Sequence, residues 1–223
     1  MRRLGLCRLL LDSGIDAPVS GRSPIVQAEK TVSARRRIFR SREQIDGVPI
    51  ICDGWIAITA YLPNGRRQIL SFGLPGDLLS GGILFESRVD HNVEALTLVR
   101  YRSFDRVGLL EHLMVSQEFL SSLVRGCAED VHRLNELVVD LGRRRADQRI
   151  ARLILELMER LTSEHATRAQ TFHFPLRQSQ IADALGLTAP YVSLVLKTFR
   201  TKGLIKFEKR SLTVLDAAKH ARW

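Results

Sequence analysis

The 223-residue chain is 45% hydrophobic and 26% charged, the proportions of a folded globular protein rather than a disordered or fibrous one. Its net charge of +10 is uneven: residues 1–40 carry nine Lys/Arg against three Asp/Glu, residues 41–141 nine against fourteen, and residues 142–223 sixteen against seven. A basic final third after an acidic middle suits contact with a polyanion, or simply a solvated basic surface.

Three scattered cysteines, Cys7, Cys52 and Cys127, exclude a disulfide framework or a four-cysteine metal cluster and suit a reducing cytoplasm. No apolar run reaches the roughly 18 residues of a membrane span, so no membrane partner is expected. The start, "MRRLGLCRLLLDSG", has an arginine inside its apolar run and no small-residue cleavage site, which argues against a signal peptide. The six histidines show no paired metal-ligand spacing, so no metal site is expected. No nucleophile–base constellation or phosphate-binding loop is present, so the chain does not read as an enzyme.

Residues 1–24 have weak periodicity and read as an arm. From residue 25 to about 100 short apolar, β-branched segments alternate with turn signals, Pro63-Asn64-Gly65 and Pro75-Gly76-Asp77 among them. A glycine-flanked "SGGILFE" (80–86) and one strand over 93–101 complete the pattern of a β-barrel or sandwich.

A helical period begins near residue 103. Over 116–141, Leu120, Val124, Cys127, Val131, Leu134, Val138 and Leu141 follow gaps of 4, 3, 4, 3, 4, 3. β-branched residues at one heptad position and leucine at the other favour a parallel two-stranded coiled coil, hence a homodimer. A helix packing this stripe on its own domain is the alternative. Cys127 then reads as a buried, inert cysteine, with a redox switch across the dimer axis as its rival. "LGRRRADQ" (141–148) breaks the pattern as a hinge, its arginines set to touch phosphate or pair with the acidic middle.

"DQRIARLILELMERL" (147–161) is an amphipathic helix with Asp147 placed to cap it, and "SEHATRAQTFHF" reads as a loop. In "IADALGLTAPYVSLVLKTFR" (181–200), Gly186 ends one short helix, and Thr188 is expected to cap the next with its side chain. Pro190 falls in the first turn, where its missing N–H is tolerated. Val192, Val195, Leu196 and Phe199 form one face of the second helix. Pro190, Leu194, Lys197 and Thr201, flanked by Ser193, form the other. "GLIKFEKRSLTVLD" (203–216) reads as two strands around a basic turn. The order is that of a winged helix, with a plain core pair of helices as the competing reading.

These segments resemble the Crp/Fnr family of bacterial transcription regulators. "IFRSREQIDGVPIICDGWIAIT", "LPNGRRQILSFGLPGDLL" and "NVEALTLV" look like its cyclic-nucleotide-binding-type domain, "RIARLILELMERL" its following helix, and "PLRQSQIADALGLT" its helix-turn-helix. The resemblance implies an α+β chain with a jelly-roll β-barrel sensor at 25–115, a dimerisation helix at 116–141 and a winged helix-turn-helix at 142–223. It implies a cytoplasmic homodimer on double-stranded DNA with a two-fold symmetric operator, meeting RNA polymerase at promoters. DNA contacts would come from Gln178, Ser179, Pro190, Tyr191, Ser193, Leu194, Lys197, Lys206, Lys209 and Arg210. An effector would meet Gly81, Gly82, Phe85, Arg88 and Asn135.

Three departures bear on these expectations. Cys7 is the sole cysteine in the first 51 residues, which argues against the iron–sulfur cluster of the Fnr branch. The glutamate and Arg-Ser pair of cyclic-AMP-binding members have no counterpart in "SGGILFESRVDHN", which argues against ordinary cyclic AMP binding and leaves the effector unknown. The recognition-helix glutamate and arginine of the family align with Pro190 and Leu194. A different class of reading, a small-molecule-binding signalling module whose winged helix docks protein, stands beside the DNA-binding one.

Overall fold

The computed structural model describes residues 26–78, 81–162 and 170–215, so the expected arm, with Cys7, lies outside the described residues. Among the described residues, the chain divides into two compact units, one of residues up to Gly65 and Leu70–His132, the other of Arg133 onward together with Arg66–Ile69.

The strands of the N-terminal half are β1 (Val26–Val32), β2 (Arg37–Phe39), β3 (Gly47–Asp53), β4 (Ile56–Tyr61), β5 (Arg67–Gly73), β6 (Asn92–Ala95) and β7 (Val99–Asp105), all within the first unit except the start of β5. These form two sheets, ordered β1-β7-β3 and β2-β6-β4-β5, rather than a closed barrel. Val48 and Ile50 of β3, Val99 and Phe104 of β7, Ile56 of β4 and Val93 of β6 are all buried in one apolar core. Both expected turns form, with Gly65 at φ 79° and Gly76 at φ 96°. Gly54, between β3 and β4, is required on two counts. Its φ is 89°, and a Cβ there would lie 2.2 Å from the Leu98 carbonyl oxygen.

The strand expected over 93–101 is two strands in different sheets. The Leu96 N–H (2.8 Å) and Thr97 N–H (3.4 Å) both turn to the Trp55 carbonyl, and the Thr97 hydroxyl accepts from the Trp55 N–H (2.9 Å). That local bonding takes the backbone groups a continuous ladder would need. The "GGIL" stretch is a 3₁₀ turn, Gly81–Leu84.

β7 runs past the expected helix onset to Asp105, whose carboxylate caps α1 (Arg106–Val115) by accepting the Gly108 N–H at 2.7 Å. After Ser116 comes α2 (Gln117–Arg143), 27 residues long. Its Phe119 and Leu123 are buried in the core of the sheet unit.

The second unit holds α3 (Ala146–Leu161), β8 (Gln170–His173), α4 (Gln178–Leu185), α5 (Ala189–Thr201), β9 (Ile205–Glu208) and β10 (Ser211–Val214). Ile150, Ile154, Leu157 and Met158 bury one face of α3. The expected loop before the helix-turn-helix ends in β8, which pairs antiparallel with β10 and makes the wing three-stranded, in the order β8-β10-β9. A Thr171–Thr213 hydroxyl pair at 2.8 Å and the buried Phe172 hold it there, a cross-strand match invisible to a reading of one segment at a time.

Asp147 does not cap α3. Arg145 is the N-cap residue, and its N–H goes to the Gln148 side chain at 3.0 Å. The Asp147 carboxylate is instead held by the Arg145 guanidinium, at 3.2 and 2.7 Å.

Candidate nucleic-acid interface

The helix-turn-helix is set by backbone chemistry at its turn. The Arg177 N–H meets the Gln180 side chain at 2.7 Å and starts α4. Gly186, at φ 64°, ends that helix in the left-handed region, and the Leu187 N–H closes on the Ala182 carbonyl at 3.0 Å. Thr188 is the N-cap residue of α5, but its hydroxyl makes no capping bond, contrary to expectation. Pro190 stands at the second helical position and has no N–H to offer, which removes one of the two donors such a cap uses. The proline itself sits in the first turn without breaking the helix. Arg149 of α3 donates to the Leu185 carbonyl at 2.9 Å, satisfying an end-of-helix acceptor and fastening α4 to α3.

The two faces of α5 separate as its period predicts. Val192, Val195, Leu196 and Phe199 are buried. Pro190, Tyr191, Leu194 and Lys197 are exposed and Ser193 half-exposed, with Leu194 59% exposed. Gln178 and Ser179, in the first turn of α4, are exposed as well. An exposed apolar side chain between polar neighbours can contact a thymine methyl but cannot fork onto guanine as arginine does.

The wing carries the remaining candidates. Lys206 is exposed on β9 and paired with Glu208 at 2.7 Å. The β9–β10 register, Glu208 opposite Ser211, leaves Lys209 and Arg210 as a two-residue hairpin loop. Both adopt left-handed backbone, φ 43° and 69°, where such a loop ordinarily takes Asn-Gly. Both side chains are exposed.

The heptad stripe on α2 is solvent-facing along its length. Val124 is 59% exposed, Val131 58%, Leu134 56% and Val138 70%, and Leu120 and Leu141 are exposed too. Cys127, expected to be buried and inert, is also exposed in the protomer. Its heptad position faces outward with the rest of the stripe.

The arginine run divides its labour. Arg144 pairs with Asp140, which is buried, and with Glu136 at 3.1 Å. The Asp140 hydrogen bond raises the Arg144 pKa above its usual value. Arg152 of α3 reaches the same two carboxylates, Glu136 at 2.5 Å and Asp140 at 3.2 Å. The expected hinge at 141–148 is therefore spanned by ion pairs on both of its sides. Arg143 and Arg145 remain exposed.

In the sheet unit, Gly81 and Gly82 lie in the 3₁₀ turn, Phe85 is 77% exposed and Arg88 is exposed, with an isolated bridge to Gln44. Asn135 is exposed on α2. The side chain that organises this loop is Arg106, which the sequence reading missed. Its guanidinium donates to the carbonyls of Ile83 (3.1 Å), Glu86 (3.3 Å) and Ile45 (3.4 Å). An arginine at a helix start has no sequence signal for distant carbonyl partners. Among the described residues, no group of His, Cys, Asp or Glu is arranged to hold a metal ion, and no helix is long and apolar enough to cross a membrane.

Two family profiles match the chain, a cyclic nucleotide-binding domain over residues 29–115 and a Crp-like helix-turn-helix domain over residues 148–219. The nitrogen fixation regulation protein FixK of Rhizobium meliloti is 31% identical over 191 residues, covering 85% of this chain and 81% of its own. A CRP-like cAMP-activated global transcriptional regulator of Mycobacterium tuberculosis is 27% identical over 186 residues, 83% of each chain. Among solved structures, FixK2 from Bradyrhizobium japonicum superposes with a TM-score of 0.74 at 24% identity, covering 87% of this chain and 96% of its own. A CRP-family transcriptional regulator from Thermus thermophilus does so with a TM-score of 0.65 at 25% identity, covering 86% and 95%.

Proposed function

The chain belongs to the Crp/Fnr family of transcription regulators, and from that premise we propose how this member reads DNA: as a homodimer on a two-fold symmetric duplex site, with a base preference of its own. The observation that carries the reading is the outward face of α5. Lys197 and the Tyr191 and Ser193 hydroxyls supply polar contacts in the major groove, and Leu194 packs on a thymine methyl. Pro190 shapes the helix start at the groove. Gln178 and Ser179 at the start of α4, and Lys206, Lys209 and Arg210 in the wing, hold the backbone phosphates.

The exposed stripe from Leu120 to Leu141 is the dimer contact, because an apolar seam left exposed along a long helix is covered most readily by its own copy. The sheet unit, residues 25–115, is the sensing domain, α2 the dimerisation helix, and residues from 142 onward the DNA-binding domain. The protein works in the cytoplasm, beside RNA polymerase at promoters. One relative is named for activation by cAMP. In this chain the matching loop has neither a glutamate directly after its glycines nor an aligned Arg-Ser pair, which argues against ordinary cyclic AMP binding.

Selection of bound duplexes from a random pool by the purified protein tests the reading. Two inverted half-sites one helical turn apart, with a consensus unlike a guanine-centred family site, are expected. No enrichment, together with no shift of random duplex at moderate salt, would overturn it in favour of protein docking.

A further inference from the structure

The two exposed members of the arginine run differ in surroundings. Arg145 borders a groove of about 510 Å³ whose wall includes Asp147 of α3 and Tyr191, Leu194, Thr198 and Lys202 of the α5 region. Tyr191 and Leu194 belong to the face assigned above to base reading, so this groove continues the recognition surface toward the start of α3. Arg143 is not among its lining residues.

The Arg145 side chain is 73% exposed, yet it is not loose. Asp147, only 16% exposed, holds it with two hydrogen bonds, to Nε at 3.2 Å and Nη2 at 2.7 Å. A guanidinium has five N–H donors in a rigid fork, so three stay available on the outer edge. A cation fixed beforehand loses little side-chain freedom when it meets an anion, which is what distinguishes it from an ordinary surface arginine.

We infer that Arg145 is a DNA contact not assigned to the helix-turn-helix or the wing: it grips a backbone phosphate flanking the recognition helix, with Asp147 as its positioning residue. The inference rests on the DNA-binding reading above. The occupant is the duplex backbone because the groove is continuous with the base-reading face and is bordered by two exposed cations, Arg145 and Lys202. The contact fixes register and carries no base information itself.

Salt dependence of binding separates this role from a structural one. Full-length protein is titrated with a fluorescent duplex from the selected pool, and with a random duplex, across a salt series. Each phosphate contact adds about 0.9 to the slope of log affinity against log salt. Arg145→Ala is expected to weaken binding about tenfold at moderate salt and to reduce the slope by about 0.9 per protomer. Arg145→Lys keeps the slope and loses part of the affinity. Arg143→Ala, in the same run but off the groove, keeps both. Asp147→Asn keeps the slope or steepens it, while the ratio of selected to random affinity falls.

An Arg145→Ala protein with the wild-type slope overturns the inference, whatever its melting temperature, and assigns Arg145 to the start of α3 alone. If the wild-type protein binds no duplex, the DNA-binding reading itself is what fails.

Discussion

The winged-helix unit and the sheet unit are packed from the same kinds of residue, yet only one displays its function on the outside. In α5 the helical period throws Val192, Val195, Leu196 and Phe199 inward and Tyr191, Leu194 and Lys197 outward, so the core and the proposed contact face are different side chains. In the sheet unit the inward side chains of β3, β4, β6 and β7 make a single apolar core. A sensing pocket inside such a unit would be lined by side chains of the same character as the core. A site facing a polyanion writes itself into charge and periodicity, whereas a site facing inward does not.

That contrast can be broken at several places. The largest effect is expected from Val131→Asp or Val138→Asp, each placing a charge in the exposed seam of α2. Both should sediment as monomers and lose at least 100-fold in DNA affinity, because two half-sites bound separately forfeit their linkage. A dimeric Val138→Asp protein would remove the seam from the interface.

Next comes Asp140→Ala, which leaves Arg144 and Arg152 with Glu136 as their one shared carboxylate. Both arginines keep some contact with water, so a loss of about 2 kcal/mol is expected, below the range for a fully buried pair. Urea unfolding measures it, and an unchanged midpoint would mark the network as surface decoration.

Lys197→Ala should cost about 1–2 kcal/mol on the selected duplex and less on random duplex. Equal losses would make Lys197 a phosphate contact.

The smallest effect is the most pointed. Replacing Lys209-Arg210 by Asn-Gly relieves left-handed backbone worth roughly 1 kcal/mol per residue, so the melting temperature should rise while DNA affinity falls. A rise in both would show that the wing tip does not touch DNA.

Most of the second unit was legible because its signals are local. Gly186 sits one step past an apolar period, and the basic turn lies between two short strands. What escaped depended on partners far away in sequence. β8 needed β10 to be seen as a strand, and the break at Leu96–Thr97 needed Trp55. Arg106 needed three carbonyls from two other segments. Thr188 and Asp147 failed as side-chain caps for different reasons. Pro190 removes a donor that Thr188 would use, while α3 starts at Ala146 and so leaves Asp147 inside the first turn rather than at its cap. The arginine run shows the same limit, since three identical letters became one partner of a buried carboxylate, one groove residue and one plain surface cation.

The unbroken length of α2 has a consequence in phase. At 1.5 Å per residue its 27 residues make a rod of about 40 Å. Each residue advances the helix by about 100°, so the bearing of each seam residue is counted in residues from the first turn. Inserting one residue near Gly126 would swing the later half of the seam about 100° from the earlier half, whereas inserting seven would return it to within about 20°. The length of this helix can therefore change by whole heptads, but a single codon more or less would put its two halves out of step.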